Sequence, residues 1–139
     1  MKVVIDTNVF ISGIFFDGAP YRVLQAWRDK HLELLITVEI FAEYQRVADI
    51  FAQEHPGIDL SKILEYLLNH AEIFIAAPMP EQVCVDADDD KFIACALASG
   101  SKIIISGDKH LLSVSGYHNI EVLKPSDLLI QYAHTFEKQ

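Results

Sequence analysis

Short runs of β-branched and aliphatic residues alternate with segments of helical spacing along the whole chain, and this alternation limits the possible folds more than any other feature. Lys2–Ile5 is a β-branched run that stops at Asp6, the pattern of a strand covered on both faces. Leu32–Ile36, Glu72–Ala76, Lys102–Ser106 and Ile120–Leu123 read as further strands. Helical spacing runs from Ala19 to about Lys30, with Pro20 suited to a first turn. It resumes after Thr37, a natural N-cap, to about Gln53, and again from Asp59 through Leu68. Asp88 to about Ser99 is a fourth helix closed by Gly100, and Asp108–Leu112 and Asp127–Ala133 are shorter ones. Strands separated by helices predict βαβ units, hence an α/β fold with a central parallel sheet flanked by helices. A chain of 139 residues fits one domain, residues 1–139, with its core over about 2–130 and a frayed tail at 134–139.

Composition narrows the classes. Hydrophobic residues make up 51% and charged residues 22%, which excludes a disordered chain. The longest apolar runs are far too short to cross a bilayer, and an acid at position 6 interrupts any signal-peptide core, so a cytoplasmic protein is expected. Cys84 and Cys95 have no CxxC spacing and read as free thiols packed in the core. Eleven Lys and Arg against twenty Asp and Glu leave a net charge of −9, which argues against a protein that coats nucleic acid through phosphate neutralisation. An acidic protein can still act on nucleic acid where bound cations offset clustered carboxylates. The positions of the acids therefore matter more than their number.

In open α/β sheets ligands bind beyond the carboxyl ends of the strands. Asp6 follows the first strand directly, and Asp108 follows the strand ending at Ser106 by two residues. Glu43 lies at the boundary of core and solvent on the long helix whose inner stripe is Ile40, Tyr44, Val47 and Phe51. The run DADDD at 86–90 holds four acids in five residues, more than capping a helix requires. With Phe92, Ile93, Ala96 and Leu97 marking the inner face, helical phase aims Asp89 inward, leaving Asp88 as N-cap and Asp90 as a solvated partner of the helix dipole. Asp6, Glu43, Asp89 and Asp108 thus converge on one sheet edge, a set of hard oxygen donors suited to one or two Mg²⁺ or Mn²⁺ ions. The six histidines lack zinc spacing, and no P-loop, dinucleotide fingerprint or serine elbow occurs. Metal-dependent phosphodiester hydrolysis fits these residues best. Asn8 and Ser106 are candidates to orient the acids or touch the scissile phosphate, with Asp86 and Asp90 as alternatives within the acidic run. Lys91, Lys109 and Arg46, with His110, stand close in sequence to the acids and are candidates to receive the phosphates of the substrate.

These residues resemble the PIN-domain nucleases, in particular their toxin branch of toxin–antitoxin pairs. The resemblance rests on VVIDTNVFISG at 3–13, AEYQRV at 42–47, DADDDKFIACA at 86–96, IIISGDKHLL at 103–112 and IEVLKPSDLL at 120–129, in order over nearly the whole chain. The family's opening Asp-Thr-Asn falls on Asp6, Thr7 and Asn8, its helical Glu on Glu43, its third acid in the 86–90 run, and its final Ser/Thr-x-Asp on Ser106 and Asp108. Ala87 stands where the family usually has proline, and Ser106 where it usually has threonine. The resemblance implies a single three-layer PIN-like domain, Mg²⁺ or Mn²⁺ held by the acids, endonuclease action on single-stranded RNA, a homodimer and a cognate antitoxin.

Two other readings compete. A haloacid-dehalogenase-like phosphatase also places an Asp after its first strand, but needs a second Asp where Asn8 stands. A PIN module that binds RNA or protein without cutting it would have no need of all four acids.

Overall fold

The computed structural model describes residues 1–137 of the chain. Numbered in chain order, the strands are β1 (Lys2–Ile5), β2 (Glu33–Thr37), β3 (Glu72–Phe74), β4 (Ile103–Ile105) and β5 (Glu121–Leu123). All pair in parallel, in the order β3-β2-β1-β4-β5. The helices are α1 (Thr7–Phe15), α2 (Ala19–Arg28), α3 (Val38–Ala52), α4 (Leu60–His70), α5 (Asp90–Ser99), α6 (Lys109–Leu112), α7 (Pro125–Gln131) and α8 (Ala133–Glu137). The expected α/β architecture is therefore present, a five-stranded parallel sheet flanked by helices. Its central strands are fully apolar where they are covered: Val3, Val4, Ile5, Leu34, Leu35, Ile36, Ile104 and Ile105 are buried completely.

Local chemistry sets most boundaries as the sequence predicts. Thr37 Oγ1 accepts a hydrogen bond from the Ile40 amide at 3.2 Å and starts α3. Asp59 caps α4, and Gly100, at φ 78°, ends α5 in the left-handed conformation. Four differences stand out. The strands at 72 and 102 are shorter than their apolar runs, because pairing with β2 and β1 stops at Phe74 and Ile105. Helix α1 has no counterpart in the sequence pattern: Thr7, Val9, Phe10, Ile11 and Gly13 are all buried, so its apolar residues show no period. Helix α7 starts at Pro125 rather than Asp127, with the proline in the first turn where a missing N–H costs nothing. The tail expected to fray from 134 is helical through Glu137, and its last two positions lie outside the described residues.

Two contacts fix the elements around the sheet edge. A Cβ at Gly13 would stand 2.6 Å from Leu24 Cδ1 and 2.8 Å from the Pro20 carbonyl oxygen, so only glycine lets α1 close on α2. The Phe10 and Tyr44 rings stack with centroids 4.1 Å apart, and the Tyr44 hydroxyl donates to the Ile5 carbonyl. Helix α3 is thereby fastened to the last residue of β1. Cys84 and Cys95 are free and buried as expected, and burial pushes both thiols up to about 12.

Candidate active site

The strand order reverses beside β1: the chain moves outward through β2 and β3, then returns to β4 on the other side. Such a switch point opens a crevice between two strands whose connections leave in opposite directions. Asp6 and Ser106 flank that crevice because parallel register pairs Ile5 with Ile105, and the Asp6 amide continues the ladder by donating to the Ile105 carbonyl at 3.0 Å. The Ser106 hydroxyl donates to Asp6 Oδ2, while Asp6 Oδ1 accepts from the Val9 amide at 2.9 Å and so caps α1. Asp6 is only 4% exposed. Ser106 Oγ also accepts from the Asp108 amide at 3.0 Å, which ties the two acids through one hydroxyl. Asp108 caps α6, accepting from the His110 amide at 3.1 Å.

Glu43 enters from α3. Its Oε2 accepts from Thr7 Oγ1, and its Oε1 lies 3.1 Å from Lys91 Nζ and 3.8 Å from the Arg46 guanidinium. Asp89 sits at the end of the 3-10 turn Ala87–Asp89 that leads into α5, half-buried and next to Asp108. Two of the four acids, Asp6 and Asp89, are shifted by burial and by their neighbours. Burial pushes the Asp6 carboxyl from 3.8 up to about 6, with the negative charges of Asp108 and Glu43 adding to the rise and the Ser106 and Val9 bonds opposing it. Asp89 also rises to about 6, through desolvation first, then the charges of Asp108 and Asp86, then a hydrogen bond to Asp108 that favours its protonated form. In buffer free of divalent cations, the stability Asp6 contributes is full below its ordinary 3.8 and is lost as pH rises through about 6. Wild type should therefore lose unfolding free energy relative to Asp6→Asn between about pH 4 and about pH 7, read from urea titrations at each pH.

The acidic run is sorted differently from its helical phase in two places. Asp86, not Asp88, is the cap: its Oδ1 accepts from the Asp88 amide at 3.0 Å. Asp88 is exposed and pairs with Lys91 at 3.1 Å. Asp90 is not solvated but buried, and its carboxylate accepts from the Val83 amide at 2.9 Å and the Cys84 amide at 2.7 Å. The sequence offered no partner for it, since the residues it holds lie in a loop without periodicity. Asp90 thus staples the segment after β3 to the head of α5. Asp90→Ala should cost about 2–4 kcal/mol of unfolding free energy in a urea titration, because it strands two amides.

Lys91 is also relocated. Expected as a phosphate contact, its side chain is only 17% exposed, and its ammonium sits between Glu43 and Asp88. Lys109, His110 and Asn8 are exposed, and Arg46 is 67% exposed, as phosphate contacts require. Thr7 is a site residue that the sequence pattern does not single out, because the Glu43 its hydroxyl meets lies 36 residues away.

Among the described residues, no group of three or more His, Cys, Asp or Glu side chains is gathered closely enough to hold a metal ion. The expected ready-made ligand set is therefore not formed in this arrangement: Lys91 and Thr7 take both oxygens of Glu43, and Val9 and Ser106 take those of Asp6. The donor chemistry nonetheless fits a hard divalent cation, since all four groups offer carboxylate oxygens and two of them resist ionisation in their neighbours' field.

Fold and crevice together define an α/β domain with an acidic switch point. Residues 2–110 match the PIN domain, and the chain belongs to that family, whose fold is of the nuclease type. It is 33% identical over 118 residues to an uncharacterized protein of Methanocaldococcus jannaschii, covering 82% of this chain and 75% of that one. No solved structure matches the chain. Among the described residues, no helix is long and apolar enough to cross a membrane.

Proposed function

We propose that the protein is a Mg²⁺- or Mn²⁺-dependent endoribonuclease that cleaves single-stranded RNA. The observation that carries this reading is the crowding of carboxylates at the switch point, where Asp6 is buried within the field of Asp108 and Glu43, and Asp89 half-buried within that of Asp108, a charge that a cation would offset. Held by these four residues, one or two such ions would neutralise phosphodiester charge and lower the pKa of an attacking water. The chain's own part is positioning. Ser106 fixes one oxygen of Asp6 and the Asp108 backbone, Thr7 fixes one oxygen of Glu43, and the Tyr44 hydroxyl on Ile5 holds α3 against β1. Lys109 and Arg46, exposed beside the acids, would meet the phosphates of an incoming strand. A narrow acidic crevice admits one flexible backbone more readily than a duplex.

The test is Mn²⁺-dependent cleavage of a labelled single-stranded RNA beside its duplex and its DNA equivalent, with Asp6→Asn as blank. Hydrolysis of small phosphomonoesters without RNA cleavage would favour the phosphatase reading, and binding without cleavage the non-catalytic one. The biological side of the proposal is a toxin, acting in the cytoplasm as a homodimer and restrained by a cognate antitoxin. Expression should then arrest growth, and co-expression of the neighbouring reading frame should relieve the arrest.

A further inference from the structure

Two openings lie along the carboxyl edge of the sheet, and of the two the second is lined by one of the four acids. Toward β3 lies a groove of about 630 Å³ walled by Thr37, Glu39, Lys91 and the 76–82 loop. Toward β5 lies an open cavity of about 610 Å³, with Asp108 on its wall beside Asn8, Ser12, Lys124 and Ser126. That volume is within the range of small-ligand sites and suits a single nucleotide. Asn8 and Ser12 are four residues apart on α1, so both side chains line the same face. The turn from β5 into α7 supplies Lys124 and Ser126 from the opposite wall.

None of these polar groups is engaged elsewhere. The ion pairs among the described residues join Arg46 and Lys91 to Glu43, and Lys91 to Asp88, and leave Lys124 without an acid. Among the same residues no side-chain hydrogen bond uses Asn8, Ser12 or Ser126, whereas Asp6, Thr7, Ser106 and Asp108 at the switch point all have partners. In a chain of net charge −9, a free ammonium on the wall that carries Asp108 is where a polyanion can be gripped. The amide and two hydroxyls offer both donors and acceptors, matching the sugar hydroxyls and base edge of a nucleotide.

We infer that this cavity is the subsite for the nucleotide adjacent to the scissile phosphodiester, with Lys124 holding that nucleotide's own phosphate. The inference rests on the nuclease reading and adds a direction to it: the strand crosses the carboxyl edge of the sheet from the β5 side to the β3 side. Lys124 is a positioning residue here, since it touches a phosphate that does not react.

The test is fluorescence anisotropy of a labelled single-stranded RNA decamer with the full chain over a salt series, in Ca²⁺ instead of Mg²⁺ so that the strand is not cut during the titration, with cleavage followed separately in Mn²⁺. Lys124→Ala should weaken binding by about fivefold to tenfold and flatten the log–log salt dependence by about 0.7, the loss of one phosphate contact on a single strand. Lys124→Arg should restore both, and Lys62→Ala, on α4 away from the crevice, should leave both unchanged. Asn8→Ala should weaken binding with the salt slope intact, as a neutral contact does. Unchanged binding by Lys124→Ala, or an equal loss with Lys62→Ala, overturns the subsite while wild-type cleavage keeps the nuclease reading alive. Wild type that neither binds nor cleaves the decamer overturns both.

Discussion

Asp6→Asn should silence cleavage of single-stranded RNA and at the same time make the cation-free protein more stable at pH 7. The two effects have one origin. Asp6 is buried beside Asp108 and Glu43, and its charged form is disfavoured until a cation shares the crevice. Removing that charge removes the cost of burying it first and the repulsion second, together worth up to about 3 kcal/mol for a shift of this size at neutral pH. It also removes a donor that a divalent ion needs, so activity should fall by more than the roughly 10- to 100-fold typical of residues that only support a ligand. Melting curves with and without millimolar Mn²⁺ check the first half, since the Mn²⁺-induced rise of wild type should vanish in the variant. A variant that melts lower than wild type without Mn²⁺ and keeps the rise would remove Asp6 from the site.

Lys91→Met should do the reverse. Lys91 is the internal cation of the acid cluster, 3.1 Å from both Glu43 and Asp88. Without it, Glu43 keeps the Thr7 hydroxyl but no cation nearer than the exposed Arg46, and the cation-free protein should lose about 2 kcal/mol, less than a fully buried pair would cost. The gain in melting temperature from Mn²⁺ should then exceed that of wild type, because the ion no longer has to displace an ammonium from Glu43. Methionine keeps most of the stem volume, which separates loss of charge from loss of packing. An unchanged Mn²⁺ gain would mean that Lys91 and the cation do not compete.

The sheet was legible because its information is local. A run such as Lys102–Ser106 carries its own pattern, and Thr37, Asp59 and Gly100 punctuate helices by chemistry that acts within one turn. The acids were legible for the same reason, each standing at a strand end or on a helix face. What escaped depends on distant partners. Asp90 reads as a solvated first-turn acid until the Val83 and Cys84 amides are folded over it, and Lys91 reads as a surface lysine until α3 brings Glu43 alongside. Helix α1 is buried around most of its surface, so the period that reveals a helix is absent from it.

The hydrogen bond from Ser106 to Asp6 joins residues a hundred positions apart, and it bears on how the chain comes to life during synthesis. Strand β1 precedes the other four strands in the chain yet sits in the middle of the sheet, and its neighbour β4 follows it only after β2, β3 and the helices between them. Until Ile103–Ile105 docks, Asp6 has neither its serine nor the backbone carbonyl that holds its amide. A nascent chain therefore carries the first acid through the making of β2, β3 and α5 with no crevice around it. Whatever depends on the assembled edge waits until β4 has emerged and docked beside β1.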